Sequence, residues 1–290
     1  MTLVVGIKYG GGIIMGSDSQ ATLNRGVPLK KLNQAKLFEL KNIKNKIVIG
    51  GAGSVPFISK ALEEIQEKVN QRRDLPFSEV ISIAEKSVLH VARWYGYDRI
   101  KEMMPKIDEE KKDQIAIKEG SQDEEIKRDV IKDKFSQQKI EIVPVEVILI
   151  IAGIDENQES QIYIIYPDGI AEKQQSEAAI GSGAAYAEYI LSQLTDKNLS
   201  EDETLKIIIQ AISEVTNIDP GVGGEPQIMK ITPFEIHLYD EKKIEKLTED
   251  IEDMQFYVQN LWGDYLKGKF KPEFDDGEST EDVDSIKPKF

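Results

Sequence analysis

Thr2 is the residue whose chemistry matters first: it follows the initiator methionine and opens an apolar, strand-like run to Tyr9. Methionine is normally trimmed when a small residue follows it. Trimming would leave one residue with both a hydroxyl and a free α-amine, a nucleophile with its own proton acceptor. A threonine hydroxyl is a weak nucleophile, so the acceptor must be neutral at working pH. An α-amine, with an ordinary pKa of about 7.7–8.0, suits that task. A nearby ammonium would lower the amine's pKa further and stabilise developing negative charge. A lysine held by an aspartate meets that requirement.

Other reactive groups are scarce. The chain of 290 residues has no cysteine, which removes thiol nucleophiles, disulfides and thiolate metal sites. Its two histidines, His90 in a helical stretch and His237 in a strand-like one, read as structural, so a Ser-His-Asp triad is not expected. Neither a cofactor nor a metal is expected. The net charge of −15 argues against nucleic acid or anionic membrane as a partner. The longest apolar run, Val145 to Ile154, contains Glu146 and is far too short to span a bilayer, so no membrane insertion is expected. No basic n-region precedes the first apolar run, and the glycosylation sequon Asn198-Leu199-Ser200 reads as chance, so the expected location is cytoplasmic.

The elements around Thr2 follow from periodicity. Two short strands flank Gly10-Gly11-Gly12 as a hairpin, the second ending at Gly16-Ser17-Asp18. Ala35 to Leu40 and Lys46 to Gly50 make a second strand pair. Val55, Ile58, Leu62, Ile65 and Val69 recur at helical spacing, and beyond Pro76 so do Val80, Ala84, Val88, Val91 and Trp94. Residues 99–142 are crowded with Lys, Glu, Asp and Gln and read as a solvated, partly helical insertion. Strands resume at Val145–Ile154, Gln161–Tyr166 and Ile170–Glu172, followed by helices Ala184–Leu194 and Glu201–Val215 and strands Gln227–Ile231 and Phe234–Tyr239. That order predicts an α+β fold, an αββα four-layer sandwich of two antiparallel sheets with helices outside each. The sandwich is expected to occupy residues 1–240, and a helical extension with an acidic, frayed tail residues 241–290.

With the elements placed, the chain resembles the N-terminal-nucleophile hydrolases, specifically proteasome β subunits. That family begins with Thr and an apolar strand, then a Gly turn, a second strand and Asp-Ser-Arg-Ala-Thr. Here Thr2, Gly12-Ile13-Ile14-Met15 and Asp18-Ser19-Gln20-Ala21-Thr22 match in order and spacing. The resemblance implies that Thr2 is the nucleophile, with Asp18 and Lys36 beside it. Lys36 opens Leu37-Phe38-Glu39-Leu40 as the family's catalytic lysine opens its strand; Lys30 and Lys31 are nearby alternatives that do not. Gly51, in Ile49-Gly50-Gly51-Ala52-Gly53, would supply the oxyanion N–H. Ser182, in Gly181-Ser182-Gly183, would contact the threonine, and Asp219, in Asp219-Pro220-Gly221-Val222-Gly223-Gly224, would be the second acid. Each motif alone is ordinary turn chemistry. Their joint order carries the resemblance.

The departures indicate the branch. Val222 stands where the family has a serine, and Gln20 where it has an arginine. The insertion and C-terminal extension would burden packing in a stacked ring, so a free-standing monomer is expected. The opening Met-Thr-Leu-Val-Val-Gly-Ile, the total length and the two additions are similar to the connectase family, archaeal relatives of proteasome β subunits. That resemblance implies protein ligation on a Lys-Asp-Pro-Gly-Ala motif, found in one subunit of the methanogenic methyltransferase. An aspartate before the cut suggests a basic pocket, for which Arg25, Lys30 and Lys31 are candidates. Two alternatives stay open: a hydrolytic peptidase or amidase using the same site, and a non-catalytic scaffold if Met1 is retained.

Overall fold

The computed structural model describes residues 2–23, 30–72, 74–93, 146–195 and 198–269. The expected insertion at 99–142, Arg25 and the tail from 271 onward lie outside the described residues. Among the described residues are twelve strands and five helices.

β1 (Leu3–Tyr9) and β2 (Gly12–Ser17) form the first hairpin. They are central in an antiparallel sheet ordered β10-β1-β2-β11-β12, completed by β10 (Glu177–Gly181), β11 (Gln227–Ile231) and β12 (Ile236–Leu238). The second sheet runs β5-β6-β7-β8-β9, from β5 (Leu37–Glu39) and β6 (Ile47–Gly53) through β7 (Val147–Ile154) and β8 (Ser160–Ile165) to β9 (Ala171–Gln174). β3 (Gln20–Leu23) and β4 (Lys30–Asn33) pair separately as a two-stranded ribbon.

The sheets bury one face against each other. Val4, Ile13, Met15, Val48, Ile150, Ile162 and Ile180 belong to the core between them. The other face of the second sheet, carrying Ile47, Ile49, Leu149 and Ile151, is covered by α1 (Val55–Asn70) and α2 (Phe77–Arg93). α3 (Ala184–Leu194) and α4 (Glu201–Ile218) pack on the first sheet, close enough that a side chain at Gly16 would strike Ile208. Because both faces of both sheets are covered, the strands read as near-continuous apolar runs instead of alternating ones, as Leu3-Val4-Val5 and Leu149-Ile150-Ile151 show. The architecture is the αββα sandwich.

Three strands escape the periodicity. β10 is built on Glu177-Ala178-Ala179-Ile180, whose alanines have little strand preference; its pairing with Leu3–Ile7 makes it a strand. The polar ribbon β3–β4 has no apolar alternation to reveal it. The described residues fall into two compact units divided between Glu245 and Lys246, within α5 (Glu241–Leu266). In the second unit, Trp262 stacks on Tyr265 with ring centroids 5.3 Å apart.

Candidate active site

Element ends converge on Thr2. Thr2 immediately precedes β1, Asp18 follows β2, Lys36 precedes β5, Gly51 lies in β6, and Ser182 joins β10 to α3. Asp219 is the C-cap of α4, whose other end is secured by a capping box of Ser200 and Glu203. An acid at a helix C-terminus opposes the helix dipole by ~0.3–1 kcal/mol. Asp219 therefore contributes little to the helix itself, and its partners lie elsewhere.

Two polar systems meet Thr2 from opposite sides. On one side the Thr2 N–H donates to Ser182 Oγ at 3.2 Å, and Ser182 donates in turn to Asp219 Oδ2 at 2.6 Å. Asp219 is steadied by the Gly221 N–H on Oδ1 at 2.9 Å. The approach of Ser182 depends on Gly181: at φ +104°, a Cβ there would lie 2.1 Å from the Thr2 carbonyl oxygen. Only glycine tolerates both the conformation and the contact.

On the other side Asp18, with no solvent exposure, accepts four hydrogen bonds. Oδ1 takes the Lys36 ammonium at 2.5 Å and the Leu3 N–H at 2.9 Å; Oδ2 takes the N–H groups of Gln20 at 3.2 Å and Gly223 at 3.1 Å. A carboxylate so fully donated to stays ionised in the interior. The Lys36 ammonium thus shares an oxygen with the residue after Thr2. Burial pulls the Lys36 pKa below the ordinary lysine value, and the adjacent Asp18 charge and hydrogen bond partly offset that pull.

Thr2, Lys36 and Gly51 line one narrow cleft of about 60 Å³, with Gln20, Gln34, Ala35, Phe38 and Ile58 among its walls. The Gly51 N–H reaches the Lys36 carbonyl at a long 3.3 Å, a bond it must share or surrender to serve an oxyanion. A side chain at Gly51 would meet Ile58 of α1 at 2.6 Å, so the close approach of helix and strand requires glycine. The sequence-predicted residues Thr2, Asp18, Lys36, Gly51, Ser182 and Asp219 are thus brought together.

Lys30 and Lys31 lie on the backbone of β4, and Arg25 lies outside the described residues, so the expected basic pocket has no described side chain. His90 contacts Glu64 at 2.9 Å and His237 packs edge-on against Tyr239, and neither lines the cleft. The two departures have packing consequences. Gln20 donates from Nε2 to the Pro220 carbonyl at 3.0 Å, tying β3 to the Asp219 loop, and Val222 is buried at 2% exposure.

Known proteins share this arrangement of layers. Residues 130–231 match the sequence profile of the family described as Proteasome subunit. An Anbu mutant from Hyphomicrobium sp. strain MC1 superposes with a TM-score of 0.61 at 16% identity, covering 95% of this chain and 100% of that one. The fold is proteasome β-like. Anbu from Yersinia bercovieri, titled an ancestral beta-subunit, also gives 0.61, at 13% identity over 89% of this chain and 97% of its own. In sequence, the proteasome subunit beta of Archaeoglobus fulgidus is 20% identical over 247 residues, 85% of this chain and 92% of that protein. In this proteasome β-like, N-terminal-nucleophile-hydrolase fold, the paired sheets deliver Thr2, Asp18 and Lys36 to one cleft.

Proposed function

We propose that the chain is a threonine acyl-transfer enzyme acting as a protein ligase. The observation that carries the reading is the placement of Thr2 between Ser182–Asp219 and Lys36–Asp18. Removal of Met1 turns the Thr2 nitrogen into an amine. Ser182 orients it, and the Lys36 ammonium keeps its pKa low enough for it to be neutral. The amine, directly or through water, takes the proton from Thr2 Oγ as Oγ attacks the peptide carbonyl. The Gly51 N–H receives the oxyanion. Collapse breaks the C–N bond, the proton passes to the departing nitrogen, and an ester on Thr2 remains.

The ester carbonyl lies within five-membered-ring reach of the enzyme's own amine, so an O→N shift to an amide is available. That amide would resist water until an incoming amine reverses both steps. The resemblance to connectases directs the reading to an Asp-Pro bond within Lys-Asp-Pro-Gly-Ala, with a proline-started fragment leaving and another entering. The methanogenic methyltransferase, through whichever of its chains carries this motif, is the proposed partner, and the acting form is a free-standing monomer. No cofactor is invoked. The similarity to proteasome subunits supports a second reading, peptide hydrolysis by the same threonine.

The two are separated by incubating the chain with a Lys-Asp-Pro-Gly-Ala peptide and a second, mass-shifted proline-started peptide. Exchange of the proline-started fragment supports ligation. Accumulation of the free aspartic acid product alone establishes hydrolysis and refutes the ligase reading.

A further inference from the structure

The segment delivering Lys36 is held from outside its own sheet. Residues 34–36 belong to no strand, and β5 begins at Leu37 on the outer edge of its sheet. Two consecutive N–H groups, those of Lys36 and Leu37, converge on Oε1 of Gln227 at 3.0 and 3.1 Å. The same carboxamide donates from Nε2 to the Leu37 carbonyl at 3.2 Å. Successive N–H groups of an extended strand point to opposite edges. Their convergence means that the chain turns at Lys36, and that Gln227 fills the small concavity its amides create.

Gln227 is well placed to do more than satisfy two amides. It opens β11, where its register partner is Ser17, the residue before Asp18. One side chain thus ties the strand leading to Asp18 to the start of the strand carrying Lys36, across the gap between the sheets. The other backbone link at Lys36, from the Gly51 N–H, is long at 3.3 Å and is the one that catalysis would loosen.

We infer that Gln227 is a positioning residue that sets Lys36 against Asp18 and the Thr2 nitrogen. It fixes the backbone from which the lysine side chain springs. The inference rests on the reading of Thr2 as nucleophile and Lys36 as the charge that tunes its amine. Without the carboxamide, Lys36 swings away, the amine's pKa rises, and the acid limb of the rate profile moves to higher pH.

The test measures acylation of the full chain by a β-lactone electrophile across pH, using intact mass. Gln227→Met keeps the bulk and removes the hydrogen bonds; Gln227→Asn is too short to reach; Gln227→Glu restores the acceptor. The Met and Asn variants are expected to lose rate on the order of ten- to a hundredfold and to shift the acid limb upward, and Gln227→Glu to recover most of the loss. If either folded Met or Asn variant has wild-type rate and an unshifted profile, the inference is overturned, even if its melting temperature falls. Thr2→Ala is the control: wild-type labelling that persists in it, or no labelling of wild type, removes the underlying reading and the inference with it.

Discussion

The Lys36 ammonium lies 2.5 Å from Oδ1 of Asp18, with side-chain exposures of 9% and 0%. The two partners do not depend on the contact equally. Without Lys36, Asp18 still accepts three backbone N–H bonds, from Leu3, Gln20 and Gly223. Without Asp18, those three donors and a buried ammonium are all orphaned. Breaking a buried pair from one side costs about 3–5 kcal/mol. Asp18→Ala is therefore expected to reach or exceed that range in denaturant unfolding, and Lys36→Met to fall below it. Equal losses would show that the backbone donors to Asp18 are unimportant.

The lowered Lys36 pKa has opposite consequences for rate and stability. Its main cause is burial, partly offset by Asp18. The ammonium is lost below the ordinary value of 10.5, so acylation should decline on the alkaline side before that pH. Between the folded pKa and 10.5 the unfolded chain binds more protons, so this group's contribution to stability rises with pH over the same window. Rate measured beside melting temperature separates the two. In Lys36→Arg the charge cannot titrate, so any residual activity should lack the alkaline decline.

Gly181→Ala tests the approach of β10 to Thr2. The added Cβ would sit 2.1 Å from the Thr2 oxygen at φ +104°. A loss of about 1–3 kcal/mol is expected from backbone strain, with acylation impaired beyond what unfolding explains. Gly10→Ala, where a Cβ meets nothing within 4 Å, should leave acylation unchanged.

Ser182→Ala removes the hydroxyl between the Thr2 nitrogen and Asp219. Ser182 is exposed, so stability should change by less than about 0.5 kcal/mol. Acylation should slow by roughly a hundredfold. An unchanged rate at saturating electrophile would remove Ser182 and Asp219 from the chemistry.

Much of this site is legible in the sequence because its residues sit at element ends marked by glycine. Gly12, Gly50-Gly51, Gly181 and Gly223-Gly224 punctuate strongly apolar runs, so order and spacing alone indicate where Asp18, Lys36 and Ser182 lie. Gln227 is not legible: it is one polar residue opening an apolar strand, and only the gap between the sheets gives its carboxamide partners. β10 is hidden for a related reason, since its two alanines become strand only by pairing with β1. Gln20 reads in sequence as a missing arginine, whereas its hydrogen bond to Pro220 emerges only once the chain has folded. Long-range pairing, unlike periodicity, leaves no local trace.

The central claim is that Thr2, freed of Met1, carries the acyl group. Incubating the purified full chain with the Lys-Asp-Pro-Gly-Ala peptide and mapping the adduct by mass spectrometry tests it directly. The expected result is a mature chain beginning at Thr2, an adduct of the Lys-Asp fragment on the Thr2-bearing peptide, and none in Thr2→Ala. A retained Met1, or an adduct on any other residue, contradicts it.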